Sequence, residues 1–193
     1  MLDDLDRSLE ALLNRELSGD HPRLAVVFDA PSAATAKAAS AAQLRVFLYD
    51  VRENRELRSL EPRLDRRSTP PVQHAPPLLV DCSYGLTACS SDGALVEHRL
   101  LGDAFRVLSQ FPVLPADVLQ GRLRGADVDP VRLRGGPTGA VRRLWAASGA
   151  SPRPLLRYTV TLALPPAPPE PVTLVQTHVV RTVVREAAPG LEE

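Results

Sequence analysis

The stretch Gln43-Leu-Arg-Val-Phe-Leu-Tyr-Asp-Val-Arg-Glu-Asn-Arg-Glu56 changes character halfway along its length. Residues Leu44–Val51 are dense in apolar, β-branched and aromatic side chains, which favour a strand. The apolar run is nearly continuous, so we expect both faces of this strand to be at least partly covered. From Asp50 onward charged residues dominate. The stretch therefore predicts a central strand that emerges into a charged rim.

The composition is that of a globular protein without net charge. Hydrophobic residues make up 44% of the 193 residues and charged residues 24%, with 23 basic and 23 acidic side chains. This balance gives no indication of nucleic-acid binding, and no apolar run reaches the roughly 18 residues that a membrane span needs. The acidic start Met1–Asp6 lacks the positive charge of a secretory signal. The two cysteines, Cys82 and Cys89, are too few for a disulfide framework, and a reduced, cytoplasmic setting fits best.

Two segments have the leucine periodicity of amphipathic helices. Leu2–Leu17 places leucines at spacings of three and four, has aspartates in its first turn and is followed by a serine-glycine pair. Ala94–Gln110 is followed closely by a proline that stops it. We expect the apolar face of this second helix to consist of Leu100, Leu101, Ala104, Phe105 and Leu108. Val141–Ala147, which contains the only tryptophan, predicts a short third helix.

The remaining apolar segments predict the strands of one mixed, mainly antiparallel sheet. These strands are Leu24–Phe28, Leu44–Val51, Leu78–Cys89 and Leu155–Leu164. Glu53–Arg67 is highly charged and predicts a ragged strand or an extended arm. Ser68–Pro77 contains four prolines and is predicted to be a loop without regular structure. We therefore predict an α/β fold in which one domain, residues 1–165, contains the sheet flanked by the two long helices.

Residues 166–193 are predicted to form an extension of this domain. Pro165–Pro171 has the composition of an extended, proline-rich linker. Val172–Arg185 is rich in Val and Thr and predicts one more strand. That strand lies either at the edge of the same sheet or is reserved for a partner.

The sequence lacks the common motifs for cofactors, metal ions and catalysis. There is no phosphate-binding loop, no glycine-rich dinucleotide turn and no His-Glu-x-x-His helix. Cys82 and Cys89 do not have the spacing of a zinc site, and a cysteine on a strand is more often a small buried hydrophobe than a nucleophile. The four histidines are scattered along the chain. Asp50 and Asp81 on neighbouring strands could approach each other, but no third polar group accompanies them. We therefore predict no catalytic residue, no cofactor and no metal site.

Segments spread over residues 1–165 resemble, in order, the cap or tail-terminator proteins of extracellular contractile injection systems. The segments are Met1–Leu13, Val27–Pro31, Val46–Asn54, Glu97–Gly102, Pro112–Pro115, Leu144-Trp145 and Leu155–Thr161. The family includes the cap proteins of the Photorhabdus virulence cassettes and of the antifeeding prophage. The resemblance implies a tail-terminator-like α/β subunit that assembles as a ring, by analogy a hexamer. Such a ring closes the far end of the inner tube and of the contractile sheath.

The resemblance therefore predicts a non-enzymatic assembly protein that stops the polymerisation of tube and sheath. Its partners would be further copies of itself and the terminal tube and sheath subunits of a cytoplasmic particle, with no nucleic acid and no membrane span. The charged arm Asp50–Arg67 and the terminal strand Val172–Arg185 have the composition of interface segments. The predicted interface residues are Arg52, Glu53, Asn54, Arg55, Arg58, Val179, Arg181 and Val183.

Two other classes of function stay open on the sequence. The first is a small cytoplasmic enzyme that uses Cys82 or the Asp50/Asp81 pair, which requires a pocket with converging polar groups. The second is a free-standing, non-enzymatic adaptor, which would be a stable monomer. A cap, in contrast, requires a ring.

Overall fold

The computed structural model describes residues 1–32, 42–124, 145–146, 149, 151–166 and 168–173. The elements are α1 (Leu2–Leu17), β1 (Ala25–Val27), β2 (Gln43–Glu53), β3 (Arg63–Asp65), β4 (Val72–His74), β5 (Leu78–Cys89), α2 (Ala94–Gln110), a short 3-10 helix (Gly121–Leu123), β6 (Leu156–Leu164) and β7 (Glu170–Pro171). Contacts divide the chain into a main unit, Met1–Ser59 with Pro77–Pro165, and a small unit, Leu60–Pro76 with Pro166–Glu193.

The main unit contains a four-stranded sheet in the order β1-β2-β5-β6. β1 runs parallel to β2, whereas β2 with β5 and β5 with β6 are antiparallel. The predicted α/β class with a mixed, mainly antiparallel sheet is thus confirmed. β5 spans Leu78–Cys89 as predicted, and β2 extends beyond the predicted Leu44–Val51 at both ends.

β2 is the central strand that the apolar run predicts. Leu44 and Val46 on one face, and Arg45 and Phe47 on the other, are at most 6% exposed, so both faces are covered. Further along, Leu48 lies opposite Tyr84 while Asp50 lies opposite Ser83. Tyr49 is therefore the extra residue of a β-bulge, which bends the strand and increases its twist.

The hydrophobic core lies between one face of this sheet and the leucine faces of the helices. Five leucines of α1 are at most 1% exposed: Leu5, Leu9, Leu12, Leu13 and Leu17. They join one cluster with the alternate β5 residues Cys82, Tyr84 and Leu86. Burying a leucine side chain stabilises a fold by about 1.5–3 kcal/mol, so α1 contributes a large part of the core.

The apolar face of α2 differs from the predicted one. Leu100, Ala104 and Leu108 are buried as predicted, and Val107 joins them at 1% exposure. Phe105, predicted to lie in the core, is 48% exposed, and Leu101 is only partly buried. Apolar residues occur around much of this helix. The helical period of 3.6 residues therefore predicts an apolar face but does not show which residue lies at its centre. Packing against α1 and β5 decides that Val107, and not Phe105, faces the core.

The other face of the sheet is buried as well but carries polar side chains. On β5, Asp81, Ser83 and Thr87 alternate with the core residues and are at most 8% exposed. The Thr161 hydroxyl donates to Asp81 Oδ1 at 2.7 Å. At the start of β2, Arg45 Nη1 donates to the Asp29 carboxylate at 2.6 Å. Hydrogen bonds of this kind are what make buried polar groups tolerable.

Among its described residues, the small unit contains a three-stranded antiparallel sheet in the order β3-β4-β7. β3 lies within Glu53–Arg67, where a ragged strand or arm was expected. The prediction that Ser68–Pro77 is a loop is wrong at Val72–His74, which forms β4. Prolines flank this triplet but do not interrupt it, so its amide groups stay available for pairing.

The C-terminal predictions are only partly covered by the described residues. Glu170–Pro171, within the predicted linker, forms β7 at the edge of the small sheet, a position that tolerates proline. The strand predicted over Val172–Arg185 lies outside the described residues from position 174 onward. Of the predicted helix Val141–Ala147, the described residues Trp145 and Ala146 are helical. The division into residues 1–165 and 166–193 stays a prediction.

Gly85 on β5 provides a test of the pairing between β2 and β5. Phe47 lies directly opposite, and a Cβ atom at position 85 would be 2.5 Å from Phe47 Cζ. We expect Gly85→Ala to lower the free energy of unfolding by about 1–3 kcal/mol, because Phe47 must move within a packed sheet.

Gly102→Ala in α2 is the matched control for this substitution. A Cβ atom there meets no heavy atom within 4 Å, and alanine favours a helix by about 1 kcal/mol over glycine. We therefore expect Gly102→Ala to preserve or raise stability in chemical denaturation. Equal stabilities of the two variants would contradict the close approach of Phe47 to the backbone of β5.

Candidate functional site

The rim is the end of β2 beyond the bulge together with the turn that follows it, residues Asp50–Arg58. Here the strand leaves the covered part of the sheet, and Val51 is 46% exposed. Arg52 and Arg55 are exposed, whereas Asn54 between them is only 4% exposed. The rim therefore presents charged side chains around one buried amide side chain.

Asn54 fixes the path of the chain at the rim. Its backbone amide donates to Leu79 O at 2.8 Å, which continues the pairing of β2 with β5. Its side-chain Oδ1 accepts the backbone amides of Glu56, at 3.1 Å, and Leu57, at 2.9 Å. Its Nδ2 donates to Asp81 Oδ1 at 2.9 Å. Asparagine is suited to this position because its side chain bonds to the backbone amides that follow it in a turn.

Asp81 anchors Asn54 from the neighbouring strand β5. Its Oδ1 accepts hydrogen bonds from Asn54 Nδ2 and from the Thr161 hydroxyl of β6. The sequence raised Asp81 and Asp50 as a possible carboxylate pair, but in the sheet Asp81 lies opposite Arg52 and Asp50 lies opposite Ser83. Asp50 instead forms an ion pair with Arg52 at 3.1 Å. The two carboxylates thus have separate partners, and the arrangement is a structural anchor.

A cleft of about 420 Å³ opens at the rim. Its lining residues are Arg52, Glu53, Asn54, Arg55, Glu56 and Asp81. The predicted interface residues Arg52, Glu53, Asn54 and Arg55 therefore lie together, and Arg58 joins them through an ion pair with Glu53 at 3.3 Å. The other predicted interface residues, Val179, Arg181 and Val183, lie outside the described residues.

Asp81 and Glu56 were not among the predicted interface residues, although Glu56 lies within the charged arm Asp50–Arg67. Asp81 comes to the rim because the register of β2 with β5 puts it opposite Arg52. The alternation of basic and acidic residues from Arg52 to Arg58 is the sequence feature that could have identified Glu56 as a member of this site. Exposed ion pairs contribute only about 0–1 kcal/mol each. The exposed charges of the cleft therefore contribute little to folding.

Neither thiol lines this cleft, and both are buried. Cys82 is inaccessible to solvent and Cys89 is 4% exposed. Burial, with smaller contributions from the charges of Asp81 and Asp6, raises the pKa of the Cys82 thiol to about 12. Since the thiolate is the reactive form, Cys82 has the character of a core residue rather than of a nucleophile.

The described histidines do not line the cleft either. His21 Nε2 lies 2.9 Å from Asp103 Oδ2, which ties the turn after α1 to α2. This contact was not predicted, since it joins residues far apart in the chain. His98 is exposed, and its neighbour Glu97 accepts the Ser90 amide at 3.0 Å and pairs with Arg153. Within the residues described, no cluster of His, Cys, Asp and Glu is arranged to hold a metal ion.

No helix among the described residues is long and apolar enough to cross a membrane.

Removing the Asn54 side chain tests its anchoring role. We expect Asn54→Ala to lower the free energy of unfolding by about 1–3 kcal/mol, because it leaves Asp81 and two backbone amides without this partner. Hydrogen exchange at Glu56 and Leu57 should become faster. Arg55→Ala, at the exposed neighbouring position, is the control and should change stability by less than about 0.5 kcal/mol. Equal effects of the two substitutions would show that Asn54 does not anchor the rim.

The raised pKa of Cys82 predicts a thiol that reacts slowly in the folded protein. A shift from 9.0 to about 12 leaves about a thousandfold less thiolate at pH 8. We expect a thiol reagent at pH 8 to label Cys82 only after denaturation, with Cys82→Ala identifying its signal. Between pH 9 and about pH 12 the unfolded chain releases this proton whereas the folded protein keeps it. The free energy of unfolding should therefore fall as the pH rises through this range. Rapid labelling of the folded protein would reopen a catalytic role for Cys82.

Known proteins resemble this chain over nearly its whole length. The sheath/tube terminator of a PVC extracellular contractile injection system, in its extended state, matches 95% of this chain with a TM-score of 0.66 and 22% identity. The tube-terminating cap of the anti-feeding prophage matches 94% of it with a TM-score of 0.66 and 21% identity. The chain spans 64% and 62% of the length of these two structures. No curated protein sequence matches it.

The family of the Pvc16 N-terminal domain matches residues 4–177, which include α1 from Asp4 onward, all of α2 and all four strands of the main sheet. This match covers far more than half of the chain. The chain belongs to the Pvc16 N-terminal domain family.

Proposed function

We propose that this protein is a terminator cap that closes the distal end of the inner tube and contractile sheath of a phage-tail-like injection particle. The observation that carries this proposal is the likeness, over 95% of the chain, to a protein described as a sheath/tube terminator. A second similar structure is described as a tube-terminating cap. The partners of the chain are then the terminal tube and sheath subunits, and its assembly takes place in the cytoplasm.

The cap acts as a ring of identical subunits, by analogy six. A ring needs a surface on each subunit that recognises its neighbour and excludes wrong contacts. The rim supports such a role, since Arg52 and Arg55 are exposed beside Glu53 and Glu56 and the turn that carries them is held by Asn54. Charge complementarity between subunits fixes register and partner choice more than it adds affinity. Val179, Arg181 and Val183 stay predicted members of this interface.

The cap works without catalysis and without a cofactor. Termination requires only that one face fits the last layer of subunits and that the other face adds no further layer. The buried thiol of Cys82 and the separate partners of Asp50 and Asp81 support this view. The balanced charge of 23 basic and 23 acidic residues agrees with protein partners rather than nucleic acid.

Reversing the charge of the rim tests the ring interface. We expect Arg52→Glu combined with Arg55→Glu to stay folded, within about 1 kcal/mol of the parent, because both side chains are exposed. The variant should form fewer rings, measured by the mass of the purified protein in solution. Particles from a strain that carries it should have overlong or uncapped tubes in electron micrographs.

Arg7→Glu combined with Arg23→Glu is the control for this experiment. Both arginines are exposed and lie outside the cleft, and the change in net charge is the same. We expect rings and particles of normal length from this variant. Normal rings and ends from the Arg52/Arg55 variant would exclude the rim as the interface, and a parent protein that is a stable monomer would favour the adaptor.

A further inference from the structure

The sheet of the small unit lacks a hydrophobic core of its own among the residues that the structure describes. Every described residue of this unit is exposed or half-buried, and Leu60 is 71% exposed. Its strands are short, with three residues each in β3 and β4 and two in β7. Sheets of this size need a hydrophobic face or a packing partner for independent stability. The small sheet therefore has the character of a surface that a partner completes.

The two edges of this sheet differ in their ability to pair with another strand. The outer edge at β7 is rich in proline, with Pro168, Pro169 and Pro171, and these residues have no amide group to donate. β3 at the other edge, Arg63–Asp65, contains no proline. Within the described part of the chain, no strand pairs with the outer side of β3. Strand addition is therefore possible at β3 and blocked at β7.

The register shows which backbone groups β3 offers. The Val172 amide donates to Pro71 O at 2.9 Å, so Val72 and Pro171 form a non-hydrogen-bonded pair. Val72 therefore directs its amide and carbonyl towards β3, where it lies opposite Asp65. Hydrogen-bonded and non-hydrogen-bonded pairs alternate along an antiparallel ladder. Leu64, the next residue, thus directs its amide and carbonyl away from β4, to the outer edge.

The charges beside this edge are positive. Arg63, Arg66 and Arg67 are exposed, and none of them makes an ion pair within the residues described. Asp65 Oδ1 accepts the Arg67 amide at 2.9 Å and Glu61 has a partner of its own, and the stretch Glu61–Arg67 holds three arginines against these two acidic residues. An incoming strand thus meets arginine side chains that form no ion pair among the described residues, and carboxylates suit such side chains.

We propose that the outer edge of β3 binds an extended, acidic segment of a partner protein as an added strand. Backbone hydrogen bonds to the edge supply affinity, and carboxylates opposite Arg63, Arg66 and Arg67 supply selectivity. The inference rests on the proposed cap function in one respect only, namely the identity of the partner protein that carries the acidic segment. The edge itself belongs to the single chain and can be tested without a ring or a particle.

The experiment uses the whole protein and a short synthetic peptide of alternating Glu and Thr with a terminal fluorophore. We expect saturable binding in fluorescence anisotropy, and an added strand in isotope-edited infrared spectra of the labelled peptide. Three comparisons accompany it: the same peptide with N-methylated backbone amides, a Lys-Thr peptide, and the protein variant Arg63→Glu/Arg66→Glu/Arg67→Glu. Each comparison should weaken binding at least about tenfold.

Arg7→Glu/Arg23→Glu/Arg99→Glu is the matched protein control, since it changes the same net charge at exposed positions of the main unit. It should bind the Glu-Thr peptide within about twofold of the parent. N-methylation removes the backbone amide donors that an added strand needs. Undiminished binding of the N-methylated peptide would therefore overturn strand addition, because it would show that charge alone is sufficient. Undiminished binding by the Arg63/Arg66/Arg67 variant, or no binding by the parent, would overturn the site. If one of these results overturned the peptide site while rings and particle lengths were normal, the proposed cap function would still hold. If the protein bound the peptide but formed no rings, the peptide site would hold and the proposed cap function would fail.

Discussion

The antiparallel pairing of β2 with β5 is the interaction on which the main unit depends. It runs from Gln43 opposite Cys89 to Glu53 opposite Val80, and it holds the centre of the sheet against which α1 and α2 pack. Because the side chains of a strand alternate between faces, a slip of one residue would exchange the apolar and polar faces of β2. The bulge at Tyr49 shifts the register by one residue at this point of β2, and the pairing with β5 continues on both sides of it. Arg157 Nε donates to the Tyr49 hydroxyl at 2.9 Å, which holds the extra residue on the sheet.

The same pairing connects the core to the rim. Beyond the bulge, β5 continues opposite residues of β2 that have left the covered part of the sheet, so Asp81 and Arg52 lie side by side at its border. The hydrogen bonds from Thr161 and Asn54 then hold a carboxylate that is only 8% exposed. The charged surface of the rim is thus attached to the paired strands of the main sheet. A site on rigid elements keeps its geometry better than one on a free loop.

The small unit differs from the main unit in how little it buries. Its sheet joins short segments from the middle and the end of the chain, Arg63–His74 and Glu170–Pro171, and it buries none of its described residues. Such a sheet gains little from folding alone and more from a partner that covers it.

The sequence alone determined the elements whose signals are local. The bounds of α1 and α2 and the span of β5 follow from leucine periodicity, from the residues after the helices and from alternation, all of which act within a few residues. Contacts between distant residues were decided by the tertiary structure: Val107 instead of Phe105 in the core, the strand Val72–His74 between prolines, and Asp81 beside Arg52. The charged composition of the rim was visible in the sequence, but the cleft was not, since it depends on the register of two strands. A period places a residue on one side of its own element, whereas register and packing between elements depend on the whole fold.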